Sequence, residues 1–299
     1  MKRAYCTYFD HNYLPRALLM LRSLSERDPG CTVYVLALSK LCLDVLDRLA
    51  LPGVEAIPLS TLENAYPELL TVKPKRSDIE FIFTLTPFWP LYLFATTSVK
   101  ALTYIDADLY FYASPQPLLD SISAASIAIT PHRFSENFRS WSIYGRFNVG
   151  WVTFRRCAEA LDCLATYKAD CLAWCYDRAE NGRFADQGYL NTWPERYPTL
   201  VIIEDKGVNL AVWNADNYVI EERDGQFLID GEPLIFYHFH GVKLLPDSSL
   251  DVMVPPRHGA ERGILMRRIL EPYLDAFMRE RAVLHERFPE LKNSETRLR

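Results

Sequence analysis

Short apolar runs alternate with amphipathic stretches from the start of the chain. Residues 3–9 (RAYCTYF) read as a strand, and Leu14 to Leu24 (LPRALLMLRSL) carries helical spacing. Residues 32–38 (TVYVLAL) form a buried-strand run. Leu41 to Leu49 (LCLDVLDRL) is helical again, and residues 54–59 (VEAIPL) supply a third strand. Further strands are predicted over 101–106 (ALTYID), 125–130 (ASIAIT), 149–154 (VGWVTF), 199–204 (TLVIIE) and 234–240 (LIFYHFH). A long helix is predicted over Cys157 to Arg178, and a helical tail from about Gly259. Strands alternating with helices predict an α/β fold: a Rossmann-like, mostly parallel sheet with helices on both faces, plus a C-terminal helical appendage.

One stretch complicates this picture. Phe81 to Val99 (FIFTLTPFWPLYLFATTSV) is 19 residues without a charge, nearly the length that spans a bilayer. It also contains Pro87, Pro90 and five Ser or Thr. Residues before proline lean away from the α region, so the stretch reads as a loop leading into a buried helix that begins near Pro87.

Composition narrows the function classes. The chain has 299 residues, 49% hydrophobic and 24% charged, with a net charge of −5. That is ample apolar material for a core, and it excludes a disordered chain. The acidic balance lacks the Lys and Arg excess that a general grip on nucleic acid requires, so no nucleic acid partner is expected. Only 12 residues are Gly, and no Walker-type or G-x-G-x-x-G motif occurs. Seven cysteines, an odd number with no C-x-x-C pair, read as free thiols in a reducing cytosol. Cys171 and Cys175 are spaced for one helical face. The N-terminus lacks the apolar core of a signal peptide, so a cytoplasmic location is expected.

Candidate chemistry gathers at the ends of strands. Asp106-Ala107-Asp108 follows the buried run ALTYI, and open α/β sheets bind ligands beyond the carboxyl ends of their strands. Two carboxylates two residues apart reach one hard divalent cation if the backbone bends there. Alone, the pair fits a solvated loop as well. Near the other end, LIFYHFHGVK carries His238 and His240 in or just after a strand, followed by Gly241. Neutral imidazole suits manganese and similar metals, and residues two apart on a strand share a face. One histidine is read as a metal ligand and the other as facing substrate, with a satisfied core histidine as the alternative.

These segments resemble, in order, the nucleotide-sugar glycosyltransferases of the GT-A fold, above all glycosyltransferase family 8 and an uncharacterised bacterial group of presumed glycosyltransferases. TYFDHNYLPRALLMLRSL is similar to that family's opening strand, acidic-Asn-Tyr turn and first helix. LTYIDADLYF resembles its Tyr-x-Asp-x-Asp strand end, and FNVGWVTFR its Asn-x-Gly strand. FADQGYLN resembles its Asp-Gln segment, and HFHG its late His-x-x-Gly. The resemblance spans about residues 4–243. It implies a transferase domain over 1–256, followed by a helical tail over 257–299.

The resemblance also implies roles. Asp106, Asp108 and His238 (His240 as the alternative) would hold Mn²⁺ or Mg²⁺ against the donor diphosphate, with Ala107 between the carboxylates. Thr7, Asp10, Asn12 and Tyr13 would meet the base and ribose. For Asp10, capping of the following helix is the competing reading. Asn148, Asp186 and Gln187 would meet the donor sugar, with Asp186 and Gln187 nearest the reacting carbon. Asp186 also reads as a helix N-cap. Lys243 is the candidate for the diphosphate, although it falls one residue short of the family's spacing and lacks the following Pro-Trp. The family's basic residue in the helix before the Asp-x-Asp strand is missing, and Lys73, Lys75 and Arg76 are the upstream substitutes. His132 and Arg133, beyond the strand ASIAIT, are read either as the acceptor side or as a solvated loop.

The implied reaction moves a sugar from a nucleoside-diphosphate sugar, UDP-sugar favoured, to a glycan or lipid-linked acceptor with retention of configuration. A sugar-nucleotide nucleotidyltransferase is a rival, but TYFDHNYL offers no Gly-rich loop for a triphosphate. A non-catalytic sugar-nucleotide-binding protein is another, against which the intact Asp106, Asp108 and His238 argue. The tail, residues 257–299, holds ten Lys or Arg against seven Asp or Glu. It reads as a salt-bridged helix or oligomer contact, with a peripheral contact to the inner face of the cytoplasmic membrane as the alternative.

Overall fold

The computed structural model describes residues 3–244, 250–251 and 263–294. The predicted boundary at 256/257 lies outside the described residues. β1 (Ala4–Phe9), β2 (Thr32–Ala37) and β3 (Val54–Pro58) run parallel, and β4 (Ala101–Ile105) pairs parallel with the other side of β1. β5 (Leu109–Phe111) leaves this sheet. β6 (Ile127–Pro131) and β4 flank β7 (Phe147–Arg155), which is antiparallel to both. β8 (Val201–Ile202) closes the far edge parallel to β6. The order is β3-β2-β1-β4-β7-β6-β8, the mostly parallel sheet expected from the alternating runs.

A second, smaller sheet crosses the end of the first. In it β13 (Phe236–His238) pairs antiparallel with β5 and parallel with β9 (Leu210–Ala211). The meander β10 (Ile220–Arg223), β11 (Gln226–Ile229) and β12 (Glu232–Pro233) intervenes, and β14 (Lys243–Leu244) pairs with β15 (Leu250–Asp251). The short β9 and β12 have little room for a period of two, so the sequence pattern resolves them poorly, whereas β13 falls inside the predicted run 234–240.

Helices cover both faces of the main sheet. On one face α1 (Leu14–Arg27) and α2 (Lys40–Leu49) bury Leu18, Leu21 and Val45 against Val33 and Trp151. On the other, Phe81, Phe88, Trp89 and Leu93 pack with Tyr104, Cys163, Tyr167 and Trp193. Each fully buried side chain of this size contributes about 2–3 kcal/mol. The charge-free stretch forms two helices, Asp78–Thr84 and Phe88–Thr96, bent by 43°. Ser77 and Glu80 form a reciprocal capping box at the first. The second starts just after Pro87, as expected. Among the described residues no single helix is long and apolar enough to cross a membrane; the bent pair has the length and composition, and its large side chains are in the core.

The predicted long helix is shorter than expected, Ala158–Ala173. Trp174 is extended at its end (φ −154°, ψ 122°), so Cys175 lies beyond the helix and does not share a helical face with Cys171. Arg76 explains the stop: its guanidinium donates to the carbonyls of Cys171 (2.7 Å) and Leu172 (2.9 Å), satisfying the exposed end of the ladder. The C-terminal helix Glu271–Arg287 buries Tyr273, Phe277 and Leu284 and is tied to α1 by the Arg22–Glu280 ion pair. Phe288 and Leu291 beyond it join the core under α1 and α2.

Candidate functional site

The two sheets meet where β4 ends. The chain turns at Asp106-Ala107-Asp108 and enters β5, whose Leu109 stands opposite His238 of β13. This pairing brings the late histidine to the acidic pair. Backbone bonds fix the corner: Asp106 N donates to Gly150 O (3.1 Å), and Phe239 N donates to Asp108 O (2.9 Å).

His238 is buried and faces both carboxylates, its Nε2 3.1 Å from Asp108 Oδ1 and 3.6 Å from Asp106 Oδ2. Its Nδ1 is 3.1 Å from Asn209 Oδ1, an acceptor that keeps a proton on Nδ1 and turns Nε2 toward the acids. Nε2 is buried, and its nearest neighbour among the described residues is the Asp108 carboxylate. His240, in the turn after β13, completes the group: Asp108, His238 and His240 offer ligand atoms within 4.8 Å of one another. Asp106 joins through His238, and its Oδ1 accepts from Tyr104 OH (2.9 Å).

The charges are strongly coupled. Burial pushes the Asp106 carboxyl above its ordinary range and neighbouring Asp108 adds to this, against the opposing pull of His238 and Tyr104. Burial works the same way on Asp108, but His238, with His240 and Arg16, outweighs it and holds Asp108 below the usual range. His238 is itself raised, because the two carboxylates overcome the burial that disfavours its charge. Two carboxylates held 3.1 and 3.6 Å from a buried imidazole nitrogen form a donor set that fits a divalent cation.

Beside this centre lies a neutral polar cluster. A bulge between Ile129 and Thr130 of β6 leaves Thr130 opposite Asn148, and Thr130 Oγ1 bridges the irregularity to the carbonyls of Asn148 and Trp151. Asn148 Oδ1 accepts from Gly150 N (2.9 Å), while its Nδ2 reaches Gln187 Oε1 (3.2 Å) and His132 Nε2 (3.3 Å). Gln187 Nε2 donates to Tyr144 O (2.9 Å). Burial, with His238 nearby, drives the His132 imidazole down to about 3, so it is neutral across the physiological range. Gly150 has a steric reason of its own: a Cβ there would stand 2.5 Å from Asn148 Oδ1 and 2.7 Å from His238 Cε1.

Asp186 precedes the short helical turn Gln187–Thr192, but its side chain makes no capping bond. It is buried, and burial, reinforced by Asp106, pushes its carboxyl up to about 7 despite a hydrogen bond from Thr86. Thr86 in turn bonds Tyr8 OH (2.7 Å), whose ring packs on Tyr104 at 5.4 Å. A chain of hydroxyls thus links Asp186 toward Asp106.

The N-terminal candidates are arranged differently. Thr7 is buried in β1 with a hydroxyl that has no hydrogen-bond partner among the described residues. Asp10 caps the turn His11–Tyr13: one oxygen accepts from Asn12 N (3.0 Å) and Tyr13 N (3.3 Å), the other from Asn12 Nδ2 (2.7 Å). The Tyr13 ring covers the Arg16 guanidinium at 4.9 Å, and Arg16 donates to Val242 O, tying α1 to the loop after His240. Lys243 is exposed at the start of β14, near enough that its charge helps depress His240.

Some upstream substitutes have other work. Besides stopping a helix, Arg76 also donates to Thr84, and Lys73 pairs with Glu63 (2.6 Å). Arg133, in a left-handed conformation (φ 54°), donates to the carbonyls of Asp205 (2.8 Å) and Val208 and is a loop clasp. His132 belongs to the site through Asn148.

Sequence reasoning missed Asn209 and Trp213. Asn209 is fully buried at φ 61°, a backbone region that Asn tolerates better than most residues. Trp213 stands edge-on to His238 (5.2 Å) and His240 (5.6 Å). Nothing in VNLAVWN marks either residue, because both act through contacts that only β9–β13 pairing creates.

No family model matches the chain. Two uncharacterised proteins of Bacillus subtilis (strain 168) align with most of it. YfnF is 32% identical over 259 residues, 84% of this chain and 85% of YfnF. YfnD is 29% identical over 274 residues, 90% of this chain and 87% of YfnD. Among solved structures, the galactosyltransferase LgtC in complex with donor and acceptor sugar analogues superposes with a TM-score of 0.56 at 13% identity, over 92% of this chain and 95% of LgtC. The glycosyltransferase GlyE of Streptococcus pneumoniae superposes with a TM-score of 0.54 at 14% identity, over 97% of this chain and 64% of GlyE. The chain belongs to the family of YfnF, and its fold is the GT-A fold of LgtC and GlyE.

Proposed function

We propose that this protein is a cation-dependent glycosyltransferase that moves a sugar from a nucleoside-diphosphate sugar, UDP-sugar favoured, to a glycan or lipid-linked acceptor. The observation that carries the reading is the convergence of the buried His238 Nε2 with the carboxylates of Asp108 (3.1 Å) and Asp106 (3.6 Å) at the end of a central strand. Asp106, Asp108 and His238 hold Mn²⁺ or Mg²⁺, which supplies positive charge for a leaving diphosphate. The match to LgtC, solved with donor and acceptor analogues, supports the substrate class.

The chain's own residues then have separable tasks. Asn148 and Gln187 are braced against each other and against His132 and Tyr144 O, so they present fixed amides to sugar hydroxyls. His132, kept neutral, adds no competing charge. Asp186 receives hydroxyl donors in a site that its own burial keeps dry. The buried Thr7 hydroxyl and the Tyr13 ring face the nucleotide. The glycosyl C–O bond to the diphosphate breaks with its electron pair on the leaving group. The acceptor oxygen bonds the same face of the sugar and gives its proton to the departing diphosphate oxygen, giving retention. The enzyme acts in the cytoplasm, at the inner face of the membrane where the acceptor is lipid-linked.

The test is turnover. UDP-, GDP-, ADP- and CMP-sugars are incubated with Mn²⁺ and a panel of glycan acceptors, and NMR reads the anomeric configuration of the product. One nucleotide class should yield product with retained configuration, abolished in Asp108→Ala. Inverted product overturns retention. Sugar nucleotide made from a sugar phosphate and nucleoside triphosphate, with no transfer, overturns the transferase reading.

A further inference from the structure

The cation centre carries one more group than the Asp-x-Asp pair and a single histidine. β13 sends His238 inward, and the next residue, Phe239, turns away and stacks on Tyr273 at 3.5 Å between ring centroids. That alternation returns His240 to the side of His238. Trp213 stands edge-on to both imidazoles, and the two rings are 5.9 Å apart and nearly perpendicular. The ligand atoms of Asp108, His238 and His240 fall within 4.8 Å of one another, a span that one ion bridges. Gly241, at φ 78°, lets the chain turn back at once after His240.

We propose that His240 joins His238 as a second imidazole ligand, making a two-carboxylate, two-imidazole centre that selects a first-row transition dication such as Mn²⁺ over Mg²⁺. The inference rests on the reading of Asp106, Asp108 and His238 as a cation site and adds what that site prefers. Mg²⁺ favours oxygen donors and gives up water reluctantly, whereas imidazole suits transition ions. Each nitrogen that replaces an oxygen therefore costs Mg²⁺ more than Mn²⁺. His238 is buried and held by Asn209; His240 is exposed, so removing it subtracts a ligand without opening the core.

The experiment is Mn²⁺ titration of the full chain followed by EPR, with Mg²⁺ as competitor, and pulsed EPR to count coupled imidazole nitrogens. Wild type should show two imidazoles on Mn²⁺. His240→Ala should show one, bind Mn²⁺ about tenfold more weakly, and lose most of its preference over Mg²⁺. A single imidazole in wild type, or an unchanged preference in His240→Ala, overturns the proposal. Asp108→Ala separates the two claims. If it still binds Mn²⁺ as wild type does, the cation site itself is wrong. If it loses Mn²⁺ while His240→Ala keeps the wild-type nitrogen count, only the role of His240 falls.

Discussion

The β1–α1 turn and the corner between β4 and β5 carry similar side chains, yet the two use them in opposite ways. At the turn, both oxygens of Asp10 are taken by Asn12 and Tyr13, and the carboxylate completes the start of a helix. At the corner, two carboxylates converge on the buried His238 Nε2, 3.1 and 3.6 Å away, with His240 beside them. A satisfied carboxylate needs no ligand to explain it. Two acids crowded around one buried imidazole repel each other, and added positive charge, from a proton or a cation, relieves that repulsion. The contrast separates a carboxylate whose bonds build the fold from carboxylates whose charges are gathered around one imidazole.

The largest effect should come from Asp108→Ala. Removing the buried carboxylate should cut transfer by about a thousandfold, measured by nucleoside-diphosphate release, with the far-UV spectrum unchanged. Activity within tenfold of wild type would dissolve the contrast. Asn209→Ala acts at one remove, freeing His238 Nδ1 from its acceptor. Cation affinity should fall about 10–100-fold by calorimetry, as for other partners of metal-binding histidines.

Gly150→Ala tests the steric side. A methyl 2.5 Å from Asn148 Oδ1 and 2.7 Å from His238 Cε1 forces one of them to move. Urea unfolding should show a loss of about 1–3 kcal/mol, together with weaker cation binding.

Asp186→Asn tests a buried acid through pH. Burial raises its carboxyl to about 7 in the folded chain, against about 3.9 when unfolded. Between those values the folded state keeps a proton that the unfolded state has lost, so stability falls as pH rises. Relative to wild type, Asp186→Asn should therefore gain on the order of 1–3 kcal/mol at pH 8 and almost nothing at pH 4, read from urea midpoints. Equal effects at both pH values would contradict a raised carboxyl.

The smallest effect belongs to the turn. Asp10→Ala should cost about 1 kcal/mol of stability, as a lost cap does, and leave cation affinity unchanged. A tenfold loss of nucleotide binding in that variant would give Asp10 a ligand role beside its cap and narrow the difference between the two regions.

The sequence made the main sheet legible because its strands are apolar runs and α1 and α2 have clear periodicity. The Asp-x-Asp pair was legible from its position after ALTYI, and His238 from its strand. Two things were hidden. The short β9 and β12 carry too few residues for a pattern, so Asn209 and Trp213 could not be tied to the histidines. Arg76 and Arg133 look alike in sequence as free cations, but both bond backbone carbonyls at loop and helix ends. Long-range hydrogen bonds, rather than local propensity, decided those roles.

The most direct measurement is calorimetric binding of the nucleoside diphosphates UDP, GDP and ADP to wild type and Asp108→Ala, with and without Mn²⁺. One of them should bind wild type tightly only with Mn²⁺, and Asp108→Ala should lose this binding. Equal binding with and without the ion, or unaltered Mn²⁺-dependent binding in Asp108→Ala, would contradict the cation site.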